Sequence, residues 1–338
     1  MGYDITKDIK LQDFYTSPKG QRKERPWRMK KINSLRAAES YERLGYMRYA
    51  ERVRDCACTL QFLQEVESGQ KYLKAAYFCH VRLCPMCNWR RSLKIFHEVS
   101  RVVDETQRQH PHLKPLFLTL TVRNCEADEL DNTIKHMMES WRKLVNHRAF
   151  MRVVKGWFRA LEVSYNKTED TYHPHFHAIL MVDKSYGTAK GKYIDIYEWV
   201  RLWRVSAQLD YDPVCDIRKV KGHKIHKAVA EVAKYAVKSA DYLHEDDEVT
   251  DKVVKTLTDA LHRKRLFAYG GILKVIAKEL GSEKPDEGDL VYVDDKVMRG
   301  DVAHILVTYR WTSGVSDYVR QTGLSDYIRR KIRTSAPP

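Results

Sequence analysis

Two strand-length runs separated by nine residues, Trp157 to Tyr165 (WFRALEVSY) and His175 to Val182 (HFHAILMV), restrict the fold of this chain more than any other feature. Successive residues of a strand point to opposite sides. In the second run His175 and His177 therefore share one face, and Phe176, Ala178, Leu180 and Val182 share the other. In the first run Trp157, Arg159, Leu161 and Val163 fall together, opposite Phe158, Ala160, Glu162 and Ser164. The polar NKTEDTYHP between them predicts an antiparallel hairpin with a long turn. If the hairpin is roughly symmetric, Glu162 falls near the level of His177. A carboxylate beside two imidazoles is a three-ligand set for a divalent cation, with positions left for water and phosphate oxygens. In a chain with 14 histidines a bare His-x-His also fits a plain polar strand face, so the inference rests on the two strands together.

The wider pattern fits such a sheet. Leu116 to Val122 (LFLTLTV) alternates leucines with Phe117, Thr119 and Thr121 and predicts a half-exposed strand. Apolar spacing predicts helices over 93–106, 128–146, 197–208, 225–240, 251–264 and 273–280, and short strands over 214–220 and 304–311. Strands and helices alternate without a glycine-rich nucleotide loop, which favours an α+β sandwich built on an antiparallel sheet. Residues 1–50 carry PKGQRKERPWRMKK and few residues fit for a core, suggesting a basic arm followed by a helix from Ser34 to Arg52. The expected organisation is an arm and helix over 1–50, a cysteine-rich module over 51–95, a principal domain over 96–245 and a helical and strand region with a basic tail over 246–338.

On the helix KIHKAVAEVAKYAVKS, Ile225, Val229, Val232 and Ala236 form one stripe, while Lys227, Glu231, Tyr235 and Lys238 fall on the other side. Most of the 20 tyrosines need no function beyond packing, so Tyr235 gains meaning only beside the histidine pair. Together they describe phosphodiester chemistry: a cation on His175, His177 and Glu162 polarises a phosphate, and the Tyr235 oxygen attacks it in line. Glu231 is placed to act as general base for water in a later cleavage, and Lys238 to neutralise phosphate charge. Lys227 and Lys234 of the same helix are candidate DNA contacts.

Five of the seven cysteines lie between 56 and 87, as Cys56-x-Cys58 and Cys79-His80-x3-Cys84-Pro85-Met86-Cys87. That clustering suits a structural zinc site with Cys84, Cys87 and Cys79 as ligands and either Cys56 or Cys58 as the fourth. Reduced cysteines in a small core and a redox CxxC are the alternatives. Trp89, Arg90, Arg91 and Lys94 follow directly and suggest a zinc-braced basic surface for DNA phosphates. The charge agrees: 60 Lys and Arg against 45 Asp and Glu give +15, spread along the chain, which implies a polyanionic partner. No window approaches the ~20 apolar residues of a membrane span, and the N-terminus lacks the apolar run of a signal peptide. MGYDIT formally fits a myristoylation pattern, but no second membrane signal joins it, so a cytoplasmic protein is expected.

These motifs resemble those of the replication initiators of small rolling-circle plasmids of Gram-positive bacteria, within the HUH endonuclease superfamily. CHVRLCPMCNWRRSLKI, FLTLT, HPHFHAIL and EVAKYAVKSADY stand in that family's order, and the likeness covers roughly residues 50 to 275, including KRLFAYGGILK. The resemblance implies a ferredoxin-like antiparallel sheet carrying the metal pair on central strands, flanked by helices and preceded by the zinc module. It aligns Cys56, in preference to Cys58, with the family's cysteine. It also implies Mg²⁺ or Mn²⁺ as cofactor, nicking of single-stranded DNA at a plasmid double-strand origin, and a host helicase and replication machinery as partners. Tyr235 is then the nucleophile and Glu231 the terminating base, with Tyr242 the one nearby alternative tyrosine. Two imidazoles suit Mn²⁺ better than Mg²⁺. A conjugative relaxase would carry its tyrosine upstream of the histidines, a single-tyrosine transposase would be shorter and lack the cysteines, and a non-catalytic zinc regulator would leave the histidines and Tyr235 unused.

Overall fold

The computed structural model describes residues 9–17, 20–188, 193–220, 225–233, 239–293 and 302–321, and within them packing divides the chain into two units. The first gathers Met1–Glu42, Tyr46–Cys87 and Asp289–Pro338, and the second Arg43–Gly45 and Asn88–Gly288, as far as these are described. This division differs from four successive segments, because the chain leaves the first unit and later returns to it.

The first unit starts with the paired short strands β1 (Phe14–Thr16) and β2 (Arg22–Glu24). Helix α1 (Trp27–Arg43) then begins directly after Pro26, a residue suited to a helix start. The sequence predicts a basic arm here, and the structure corrects this. α1 buries Trp27, Lys31, Ser34, Ala37, Ala38 and Tyr41, so this stretch supplies core residues. The anticipated single helix over 34–52 is two. Gly45, at φ +77°, lets Tyr46 N–H return to Tyr41 O at 2.8 Å, a glycine-based stop, before α2 (Met47–Asp55). Strands β3 (Thr59–Glu65) and β4 (Lys71–Ala76) follow.

The second unit contains most of α3 (Pro85–Gln109), then β5 (Leu113–Thr121), α4 (Leu130–Val145), α5 (Arg148–Val153), β6 (Val154–Asn166) and β7 (Thr171–Asp183). It continues with α6 (Ile196–Ser206), β8 (Cys215–Lys219), α7 (Ile225–Val232), α8 (Asp247–Ala260), β9 (Phe267–Gly271) and α9 (Ile272–Glu279). Its five strands form one antiparallel sheet in the order β8-β5-β7-β6-β9. β7 is thus the central strand. β5, expected to be half exposed, is an interior strand in which only Lys114 and Thr119 escape full burial.

The β6–β7 hairpin has longer strands and a shorter turn than its polar linker suggests. The strands run through Asn166 and from Thr171, and only residues 167–170 turn. The Asn166 side chain accepts from Thr168 N–H at 3.0 Å, and Asp170 takes φ +53°, which is turn chemistry that a polar run conceals. At the other edge, a Cβ on Gly270 would stand 2.2 Å from the Trp157 ring, so β9 can approach β6 there only with glycine.

One face of this sheet packs under α4 and α6. Trp141 meets Trp157 and Phe176 edge to face at 5.1 and 5.6 Å, and Trp203 meets Phe176 at 6.1 Å. Each such pair contributes about 0.5–1.5 kcal/mol beyond its buried area. Because Phe176 and Trp157 face these helices, His175, His177 and Glu162 must face the other way.

The chain then re-enters the first unit. β10 (His304–Thr312) inserts beside β3, and β11 (Asp317–Gln321) beside β10, giving the antiparallel order β11-β10-β3-β4. Among the described residues no helix is long and apolar enough to cross a membrane.

Candidate active site and cysteine centre

The ladder between β6 and β7 sets Glu162 directly opposite His175 and Ala160 opposite His177, two residues away from the level expected for the carboxylate. Its reach makes up the difference: Glu162 Oε2 lies 3.3 Å from His177 Nε2 and 3.8 Å from His175 Nε2. One ligand atom from each residue falls within 4.8 Å of the others. The imidazole rings stand at 86° to each other with centroids 4.8 Å apart, so their Nε2 edges converge on the carboxylate.

Both imidazoles are held from behind. His175 Nδ1 lies 3.1 Å from His173 O; a carbonyl only accepts, so Nδ1 carries the hydrogen and Nε2 presents its lone pair. His177 Nδ1 lies 3.1 Å from Thr119 Oγ1 on β5, whose partner across the ladder is His177 itself. Burial, together with neighbouring His177 and against the pull of His173 O and Glu162, lowers His175 to about 4, so it is neutral at pH 7. Burial lowers His173 as well. The Glu162 side chain is only 6% exposed, and a carboxylate there costs several kcal/mol unless a cation compensates it. Sequence periodicity missed Thr119 as a functional residue, although its place on the same face as His177 follows from the FLTLT register.

In the first unit, Cys56, Cys79, Cys84 and Cys87 are buried and their sulfurs lie within 4.8 Å of one another. Cys56 Sγ is 3.5 Å and Cys79 Sγ 3.7 Å from Cys87 Sγ. Burial raises Cys84, but hydrogen bonds from the Cys56, Cys79 and Cys87 thiols outweigh it and hold Cys84 well below the ordinary thiol value. The same sharing, then burial, pushes Cys56 up. Cys58 stands outside the group: it is half-buried, and its Sγ meets Arg54 O at 3.2 Å.

The chain matches the family model described as Replication protein over residues 70–319. It is 43% identical over 327 residues to a Protein rep of Bacillus amyloliquefaciens, covering 88% of this chain and 94% of the relative. A Protein rep of Streptococcus pneumoniae serotype 2 (strain D39 / NCTC 7466) is 41% identical over 289 residues, covering 84% and 89%. The chain belongs to the Replication protein family. A Replication protein of Staphylococcus aureus is 34% identical over 201 residues, 58% of this chain and 86% of the relative. No solved structure matches. The matched family region contains Glu162, His175, His177 and three of the four clustered cysteines; Cys56 precedes it.

The remaining candidates stand in different surroundings. Tyr235, Lys234 and Lys238 lie outside the described residues. Glu231 is half-buried and Lys227 exposed on α7, which packs against β7, and Ile225, Val229 and Val232 are buried as their stripe predicts. Tyr242, the alternative tyrosine, is fully buried. Arg90 and Arg91, expected on a basic surface, are 0% and 6% exposed and sit on the packed side of α3. Arg91 donates to Asn88 Oδ1 at 3.3 Å, and the Arg90 guanidinium lies 5.4 Å from the Trp89 ring centroid. Lys94 is half-buried and donates to Glu287 O at 2.5 Å.

Proposed function

We propose that this replication protein is a rolling-circle plasmid initiator of the HUH type, an endonuclease and strand transferase that nicks single-stranded DNA at the plasmid origin. The observation that carries the reading is the convergence of Glu162, His175 and His177 from two central strands on the sheet face away from α4 and α6. Two neutral nitrogens and a buried carboxylate suit Mn²⁺ or Mg²⁺, and the incomplete ligand set leaves room for phosphate oxygens. A divalent cation bound there supplies Lewis-acid polarisation of the scissile phosphate. His173 O and Thr119 keep the two imidazoles turned toward the site.

In the proposed reaction the Tyr235 oxygen attacks phosphorus, the bond from phosphorus to the 3′ oxygen breaks, and that oxygen leaves with a proton as a free 3′ hydroxyl. The 5′ phosphate remains on Tyr235, which conserves the bond energy for later strand closure. Glu231 takes a proton from water in the terminating cleavage, so that no second phosphotyrosine forms. Lys238 offsets phosphate charge, and Lys227, Lys234 and Lys94 track the DNA backbone. A host helicase then unwinds the duplex while the host replication machinery extends the free 3′ hydroxyl, in the bacterial cytoplasm.

The four cysteines fit zinc by a separate measure. For metal–sulfur bonds of about 2.3 Å a tetrahedron has edges of about 3.8 Å. The 3.5 and 3.7 Å sulfur separations are close to that edge. Zinc there braces the fold and takes no part in the reaction.

The test is direct. Full-length protein is incubated with single-stranded origin DNA and Mn²⁺ or Mg²⁺, and a covalent adduct is sought on a denaturing gel. Tyr235→Phe should lose the adduct and keep DNA binding. An adduct that persists in that variant rejects the assignment. Glu231→Ala should still make the first nick and accumulate products longer than one plasmid unit; normal termination rejects its role as base.

A further inference from the structure

The charge on Lys31 has no obvious reason to be where it is. Lys31 is 0% exposed in the first unit, on the packed face of α1. Its Nζ donates to Arg54 O at 2.6 Å, to Cys56 O at 2.8 Å and to Cys58 Sγ at 3.2 Å. All three ammonium hydrogens are therefore used, and among the described residues no carboxylate pairs with it. Taking an unpaired ammonium out of water costs several kcal/mol, and carbonyl dipoles alone do not balance the charge.

Through the Cys56 carbonyl Lys31 adjoins the cysteine centre, since the Cys56 sulfur is one of the four. Four neutral thiols would leave Lys31 uncompensated, whereas four thiolates around one divalent cation carry a net double negative charge. Buried and closed, such a centre needs positive charge close by as much as Lys31 needs negative charge. The same face of α1 grips the centre at a second point. Ser34, one turn beyond Lys31, donates to Lys30 O at 2.8 Å, accepts from Met86 N–H at 3.2 Å and lies 3.6 Å from Cys84 Sγ. Arg52 of α2 donates to Cys79 O at 2.5 Å. Two cations and a hydroxyl thus contact the backbone or sulfur of Cys56, Cys79 and Cys84, and of the two cations only Lys31 is buried without a share of solvent.

We propose that Lys31 is a positioning residue and built-in counter-charge of the four-cysteine metal centre, holding the Cys56 loop by its carbonyls and stabilising the thiolate form of the ligands. This rests on the reading of the cysteines as zinc ligands. The proposal also explains why a lysine sits in the buried stripe of a helix whose neighbours there are Trp27, Ala37, Ala38 and Tyr41.

The test uses the full chain with Lys31→Met, which removes charge and donors, and Lys31→Gln, which keeps donors and removes charge. Metal content is first measured by elemental analysis; a wild type without zinc sinks the zinc reading itself. Zinc release to a chromogenic chelator is then timed, and the cobalt-substituted proteins are titrated with acid while the sulfur-to-cobalt absorption band is followed. Both variants should release zinc about tenfold or more faster, as expected for a residue supporting metal ligands. They should also lose the cobalt band about one pH unit higher, because thiolates without the counter-charge bind protons more readily. A Lys31→Gln protein that folds and releases metal at the wild-type rate and pH overturns the proposal. If neither neutral variant folds, Lys31→Arg decides: a folded, zinc-loaded protein supports the counter-charge, and one that fails as the others do assigns Lys31 to packing and overturns it.

Discussion

The two clusters of side chains that could each hold a metal ion in this replication protein have opposite characters. The cysteines are 0–1% exposed, come from a helix, a knuckle and the loops around them, and close on themselves with four equivalent sulfurs. Glu162, His175 and His177 come from two neighbouring strands of one regular sheet, and the imidazole side chains keep 12% and 14% of their exposure. Closed four-ligand sites support structure, whereas three-ligand sites with an accessible side are built for exchange and chemistry. The neighbouring groups follow the same division. A buried ammonium and backbone carbonyls adjoin the cysteines, and a backbone carbonyl and a threonine hydroxyl stand behind the histidines.

The sharpest way to break this comparison is to remove one ligand from each cluster. Cys84→Ser should lose zinc and unfold the first unit, since structural zinc binding of about 10–16 kcal/mol is folding free energy. Elemental analysis and hydrogen exchange over β3 and β4 measure this; a variant that stays folded without zinc makes the cysteines an ordinary core.

His175→Ala and His177→Ala should instead leave both units folded and lower nicking at least about 100-fold, more than the loss expected for a residue behind the ligands. Glu162→Ala should lose less than either. Calorimetric Mn²⁺ binding and single-turnover nicking report these effects together, and full activity in either histidine variant would make the pair structural.

Acid should act on the second cluster through His175. Its folded value, about 4, lies below its ordinary value of 6.5, so the folded state resists protonation more than the unfolded chain does. That contribution is complete above pH 6.5 and is lost as pH falls toward 4, by on the order of 3 kcal/mol. Denaturant melts from pH 7 to 4, on protein without loosely held divalent ions, should show this slope in wild type and a shallower one in His175→Ala. Equal slopes would refute it.

The smallest effect is expected from Thr119→Val, which keeps a β-branched strand residue and deletes the oxygen 3.1 Å from His177 Nδ1. Mn²⁺ affinity should fall about tenfold, with Thr119→Ser close to wild type. Nitrogen chemical shifts of His177 should show a mixture of tautomers in the valine variant; an unchanged pattern removes Thr119 from the site.

By itself the sequence determined four of the five strands and most helices of the second unit, because period-two and period-3.6 burial patterns are local properties of a chain, but it did not foresee β9. It also placed His175 and His177 on one face and Glu162 within reach, since alternation along a strand requires no knowledge of its neighbours. Only tertiary structure decided the register, which puts Glu162 opposite His175, through an Asn166 turn whose composition looks like a long loop. Residue spacing left Cys56 and Cys58 open and the family resemblance favoured Cys56; the tertiary structure brings Cys56 and not Cys58 to the other three sulfurs, because two residues so near on the chain can have quite different surroundings. The N-terminal region shows the limit most clearly. Lys31, Arg90 and Arg91 read as solvated basic residues because composition records charge, whereas burial depends on what distant segments pack against them. β10 and β11, more than 200 residues downstream of β3, complete the sheet of the unit in which Lys31 is enclosed, and no local window can hold a partner so far away.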